Sequence, residues 1–172
     1  MKTLRPSESL LIRINGIPQG KGRPRFTKSG RAYTPAKTRR YEAAVQEAAL
    51  AAAAIQGFVK HDGDTPLEAC ITAWFPIPAS WPKKKREAAA AGGIYPTAKP
   101  DADNLCKAIL DALNGIAYRD DKQIVSCHVC KRYTCRDDDT PRVVVHIAPM
   151  KTLAQLREAA FSDGLREGWD GN

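Results

Sequence analysis

Lys99-Pro100-Asp101-Ala102-Asp103-Asn104-Leu105-Cys106-Lys107 is the stretch on which the reading of this chain turns. It runs on through Asp111-Ala112-Leu113-Asn114-Gly115 to Arg119-Asp120-Asp121-Lys122-Gln123. A residue before proline is kept out of the helical region, so Lys99 is extended. Asp101 and Asp103, two apart on extended chain, point the same way. A helix is predicted from near Asp103. On it Asp103, Lys107 and Asp111 recur at i, i+4 and i+8 along one side, with Leu105, Ile109, Ala112 and Leu113 opposite. The pattern predicts a polar stripe on a core-anchored helix, with a second acidic pair, Asp120 and Asp121, at the helix's far end.

Carboxylates without cysteine or histidine suit Mg²⁺ or Mn²⁺, hard cations that take oxygen ligands. Two such ions can clamp the attacking and leaving oxygens of a phosphodiester. Asp101, Asp103 and Asp121 are the candidate ligands. Gathering them without a cation would cost repulsion. Lys107 would then set a positive charge beside the scissile phosphate. Plainer roles stay open. Asp101 or Asp103 can cap the helix, Lys107 can pair with Asp103 and Asp111, and Asp120-Asp121 can be an ordinary turn.

Upstream, Leu10, Ile12 and Ile14 alternate with Leu11, Arg13 and Asn15, which predicts a strand. Residues 20–35, Gly20-Lys21-Gly22-Arg23-Pro24-Arg25-Phe26-Thr27-Lys28-Ser29-Gly30-Arg31-Ala32-Tyr33-Thr34-Pro35, show no trustworthy period. Lys21, Arg23, Arg25, Lys28 and Arg31 are interleaved there with Phe26 and Tyr33. Cations meet phosphates and aromatic rings stack on bases, so the loop is expected to bind nucleic acid rather than only to face solvent. Its glycines let a ligand approach the backbone. Their spacing fits neither a Walker loop nor a dinucleotide fingerprint. Residues 36–56 are alanine-rich, with Tyr41, Val45, Ala48, Ala52 and Ile55 at helical spacing. Lys37, Arg39 and Arg40 sit at the end of that helix that its dipole disfavours, which an anionic partner explains better.

A second strand covers Leu67–Phe75. Ser80 is read as a helix cap with Pro82 in the first turn. The run Lys83, Lys84, Lys85 and Arg86 then flanks the acidic stretch. Gln123 to Tyr133 reads as a third strand with Val125, Cys127, Val129, Lys131 and Tyr133 on one face. Val143, Val145 and Ile147 make a fourth, predicted to pair with the third as a hairpin. A terminal helix is predicted over 151–169, on Leu153, Leu156, Ala160 and Leu165.

The 172 residues suffice for one domain with a core, and no second domain or repeat is visible. No apolar run approaches the ~20 residues that span a membrane, and the N-terminus lacks a signal peptide's apolar centre. A cytoplasmic protein is expected, and its five cysteines are expected to be free thiols. The net charge of +8 favours a polyanionic partner. Zinc at Cys127, Cys130 and Cys135 is disfavoured, because Cys127 and Cys130 face opposite sides of a strand and no second ligand pair appears. No serine, histidine and aspartate form a nucleophile motif.

These motifs in this order resemble the RusA family of Holliday-junction resolvases: the stretch from Pro18 to Pro35, Ser80-Trp81 with its lysines, Lys99 to Lys107, Asp111 to Gly115, and Asp120 to Ile124. The resemblance implies a small α+β fold over residues 1–172, with a mixed four-stranded sheet and packed helices; the chain departs from the smallest family members by its extra length, with residues 151–172 as a C-terminal helical extension. It implies a homodimer that nicks opposing strands of four-way junction DNA with Mg²⁺, Mn²⁺ being a possible substitute. It maps the family's essential aspartates onto Asp101, Asp103 and Asp121 (with Asp120 one residue away) and its essential lysine onto Lys107. DNA contacts are then expected from Lys21, Arg23, Arg25, Lys28, Arg31, Lys37, Arg39, Lys83, Lys84, Lys85, Arg86 and Lys99. Two other readings are a metal-dependent nuclease acting on other DNA structures and a non-catalytic junction-binding protein.

Overall fold

In a computed structural model of the chain, residues 7–23, 25–61, 63–135, 138–152 and 154–155 are described. In chain order they form β1 (Leu10–Asn15), β2 (Arg25–Phe26), β3 (Ala32–Tyr33), α1 (Ala36–Gln56), β4 (Leu67–Phe75), α2 (Lys83–Ala90), α3 (Ala102–Leu113), β5 (Ile124–Tyr133) and β6 (Arg142–Pro149). A 3₁₀ turn at Asp121–Gln123 leads straight into β5.

Alternation in the strands decides where the core lies. Leu10, Ile12 and Ile14 of β1, Leu67, Ala69, Ile71, Ala73 and Phe75 of β4, and Val143, Val145 and Ile147 of β6 are all buried. The sheet order is β1-β6-β4-β5. β6 runs antiparallel to β1 and β4, and β4 runs parallel to β5. This register sets Ile12 opposite Val145 and Val145 opposite Ile71, so the buried side chains form rows across one face. Helices α1 and α3 cover that face. From α3 come Leu105, Ala108, Ile109, Leu110, Ala112 and Leu113, all buried, while Asp103 and Lys107 stay in solvent. Truncating a side chain such as Ile109 to alanine would cost about 2–5 kcal/mol. The fold is α+β with a mixed four-stranded sheet, as the sequence predicts.

Four expectations are corrected. β5 and β6 are not a hairpin, because β4 lies between them. Three consecutive valines give β6 apolar side chains on both faces, which suits an interior place. β5 carries Ser126, His128, Lys131 and Arg132 and takes the edge, where charge reaches water. The connection leaves β5 across the end of β4, where Thr134 donates its N–H to the Phe75 carbonyl at 2.9 Å. Second, α2 is capped at Pro82 rather than Ser80, and no side-chain hydrogen bond closes it. Proline's fixed φ sets that boundary. Third, Ile55 is 85% exposed, because α1's buried row runs through Thr38, Tyr41, Val45 and Ala49 instead. Fourth, residues 20–35 do contain regular structure, the ribbon β2–β3. Of the predicted terminal helix over 151–169, only Lys151, Thr152, Ala154 and Gln155 are described: Lys151 and Thr152 are not helical, Ala154 and Gln155 are, and the rest lies outside the described residues. Among the described residues no helix is long and apolar enough to cross a membrane, and all five cysteines are free.

Candidate active site

The loop before β2 is docked on the start of α3. Lys21 donates its N–H to the Asn104 carbonyl at 2.8 Å. A Cβ on Gly20 would lie 2.8 Å from the Pro100 Cβ and 3.0 Å from the Asn104 Cβ. One on Gly22 would lie 2.6 Å from the Thr38 Oγ1, which accepts the Gly22 N–H at 3.2 Å. These two glycines therefore serve close packing against α3 and α1, where the sequence suggested room for a ligand. From β5, the Lys131 ammonium donates to the carbonyls of Ala98 (2.6 Å) and Pro100 (3.0 Å). The peptide bond between Lys99 and Pro100 is cis. Between the loop, the first turn of α1 and the start of α3 lies an open groove of about 850 Å³. Lys21, Arg23, Lys37, Lys99, Asp101 and Asn104 are among its walls.

Asp101 is the N-cap residue of α3 through its backbone alone. Its carbonyl accepts the Leu105 N–H at 3.0 Å, and its side chain caps nothing. Asp103, exposed in the first turn, stands where the helix dipole favours negative charge. Asp120 and Asp121 differ sharply. Asp120 caps the 3₁₀ turn: its carboxylate accepts the Lys122 N–H at 3.0 Å, and the Gln123 Oε1 accepts the Asp120 N–H at 3.3 Å. Among the described residues the Asp121 carboxylate makes no hydrogen bond, so it is the uncommitted member of the pair.

The chain does not gather all three candidate ligands. Asp101 and Asp103 begin α3, whose 12 residues carry the backbone about 18 Å before Asp121 is reached. At that far end the Tyr118 hydroxyl donates to the Leu110 carbonyl at 2.8 Å. Burial, then the charge of Asp121, hold that phenol far above its ordinary range. Asp121 thus sits beside Tyr118, where the 3₁₀ turn enters β5, while the Ala98 and Pro100 carbonyls just before Asp101 are bound by Lys131, at β5's other end. Among the described residues no three His, Cys, Asp or Glu stand close enough to hold a metal ion. The donors at Asp101 and Asp103, all oxygen and free of capping duty, fit a hard divalent cation. Among the described residues no third carboxylate joins them.

The cations divide into groups. Lys21 is ion-paired with Glu42 and, at 2.8 Å, with Asp111. Lys107 makes no ion pair among the described residues, since Asp111 is taken by Lys21. Arg23, Lys37 and Lys99 line the groove, Lys28 and Arg31 are exposed on the ribbon, and Arg39 is exposed on α1. The side chain of Arg25 is outside the described set. The α2 run is solvent-exposed, with Lys85 over the Trp81 ring at 3.8 Å. Lys83 and Arg86 line a separate groove of about 780 Å³ with Thr134 and Cys135, also at the Tyr133 end of β5.

Two positioning residues escaped the sequence reading. Gln123 had a signal: Asp120 followed three residues later by glutamine is capping-box spacing. Lys131 had none, because its partners lie about 30 residues upstream. Residues 15–148 match the family of endodeoxyribonuclease RusA. A Bacillus subtilis (strain 168) protein, the uncharacterized protein YqaN, is 35% identical over 137 residues, covering 78% of this chain and 92% of that one. With the matched region spanning every strand of the sheet but most of the first, and with the acidic helix and its basic loop inside it, the chain belongs to the RusA family of endodeoxyribonucleases.

Proposed function

We propose that this chain is a homodimeric, Mg²⁺-dependent endonuclease that resolves four-way DNA junctions by paired nicks, in DNA recombination and repair. The groove carries this reading: the basic loop and Asp101 share its walls, so a DNA backbone held by the cations runs past the acidic end of α3. Asp101 and Asp103 are the ligands from one chain, with Asp121 in preference to the capping Asp120. A bound divalent cation supplies Lewis acidity for phosphodiester hydrolysis, Mn²⁺ being a substitute for Mg²⁺. Lys107, one turn beyond Asp103, sets its charge toward the phosphate. The distance of Asp121 from Asp101 is answered by a two-fold dimer, in which the third carboxylate comes from the second copy. A four-way junction has the same symmetry.

The test compares a synthetic four-way junction with a linear duplex of the same sequence in Mg²⁺. Paired nicks in the junction alone are expected, and Asp101→Asn is expected to abolish them. Equal cutting of both substrates would leave a nuclease without junction selectivity. Tight junction binding by a wild type that never cuts would make the protein a binding module.

A further inference from the structure

We propose that the ribbon β2–β3 is a base-stacking wedge, reading nucleobases left unstacked at the branch point of DNA. The inference rests on the junction reading and adds the element that would recognise the branch. The ribbon springs from the groove itself: residues 18–23 lead into β2, residues 35–38 follow β3, and both segments line the groove that holds Asp101. Its turn is held by its own bonds. Thr27 donates its N–H to the Arg31 carbonyl at 2.9 Å, Gly30 donates to the Thr27 carbonyl at 2.9 Å, and the Arg31 N–H reaches the Thr27 Oγ1 at 3.1 Å. The register pairs Arg25 with Tyr33 and Phe26 with Ala32. Paired residues share a face and neighbours alternate, so Phe26 and Tyr33 lie on opposite faces of the ribbon.

Both rings stand in solvent, Phe26 71% and Tyr33 45% exposed. Neither stacks on a ring or a cation among the described residues, whereas the exposed Tyr95 ring is covered by Arg132 at 5.4 Å. A two-stranded ribbon gains little by itself, and neither ring belongs to the hydrophobic core. Exposed Lys28 and Arg31 flank them. Positive charge with an aromatic on each face matches a partner that offers phosphates and flat π surfaces together, which is nucleic acid with accessible bases. Plain duplex hides those surfaces in its stack, and a branch point opens them.

The test measures equilibrium binding of the full chain carrying Asp101→Asn, so that the DNA stays whole. The probes are a four-way junction with 2-aminopurine at the branch and a linear duplex of the same sequence. Phe26→Ala with Tyr33→Ala is expected to weaken junction binding about 10-fold or more, to leave duplex binding within about twofold, and to remove the 2-aminopurine fluorescence rise. Phe26→Trp is expected to keep both binding and the rise. An unchanged junction-to-duplex ratio in the double variant overturns the wedge, as does equal weakening on both probes. The readout is binding, so failure of the wild type to cut DNA would remove the nuclease reading and leave this result standing.

Discussion

Lys131 ties β5 to Pro100: its ammonium donates to the Pro100 carbonyl at 3.0 Å and, two residues earlier, to the Ala98 carbonyl at 2.6 Å. The segment it holds is the one that presents Asp101. Lys131→Met keeps an unbranched stem and removes the ammonium donor, which lies 5.7 Å from the centre of the Phe75 ring. Junction cleavage is expected to fall at least about 10-fold, because small misplacements of a catalytic group are costly. The melting temperature should move by only a few degrees, about what two partly exposed hydrogen bonds are worth. Unaltered cleavage in single-turnover kinetics would show that Asp101 is held without this tie.

Lys21 is the cation of the basic loop whose charge is already matched. Burial lowers its pKa, but the hydrogen bonds and charges of Asp111 and Glu42 outweigh that and raise it above 10.5. A raised lysine adds stability that is fully present below its unfolded value of 10.5 and is lost as pH climbs through the folded value. Lys21→Met should therefore destabilise by a constant amount from pH 6 to 9, about 1–2 kcal/mol for this partly exposed cluster. The gap to wild type should narrow above pH 10.5. Its salt slope for DNA binding should match wild type, whereas Lys37→Gln should lower the slope by about one. Thermal melts across pH, with binding titrations in rising salt, read both effects.

The Cys106 and Cys127 sulfurs lie 3.1 Å apart, joining α3 to β5. Burial first, then the hydrogen bond and charge of Cys106, push the Cys127 thiol up to about 12. The nucleophile in alkylation is the thiolate, so a raised pKa means slow reaction at neutral pH. Iodoacetamide at pH 8 is expected to modify Cys127 at least about 10-fold more slowly in the folded chain than in the urea-unfolded one. Peptide mapping by mass spectrometry gives the two rates, and equal rates would contradict the packing of α3 on β5.

What the sequence made legible was local. The face pattern of Leu105, Ile109 and Leu113 marks α3, and the alternation of Leu10, Ile12 and Ile14 marks β1, because period alone tells a buried face from a wet one. Strand order was not legible, since the contact of Val145 with Ile71 bridges a separation that no local pattern encodes. The preference for Asp121 over Asp120 came from the resemblance; the capping contacts of Asp120 agree with it, and the Asp120–Gln123 spacing already hinted at those contacts. The distance between Asp101 and Asp121 was readable in principle. A 12-residue helix between two carboxylates is itself a ruler.

That ruler leads to the sharpest test of the dimer. If Asp101 and Asp103 of one copy work with Asp121 of the other, Asp101→Asn and Asp121→Asn homodimers are both inactive. A mixed dimer then holds one site carrying both lesions and one site carrying neither. Co-refolding the two variants in equal amounts makes half of the dimers mixed, each with one intact site, so nicking should return to about a quarter of wild type. The product should be a single nick, because paired cutting needs both sites. Were all three acids used within one chain, every site in the mixture would carry one lesion, and no activity would return. Separate refolding followed by brief mixing keeps the parental dimers and should stay inactive, which isolates subunit exchange as the cause.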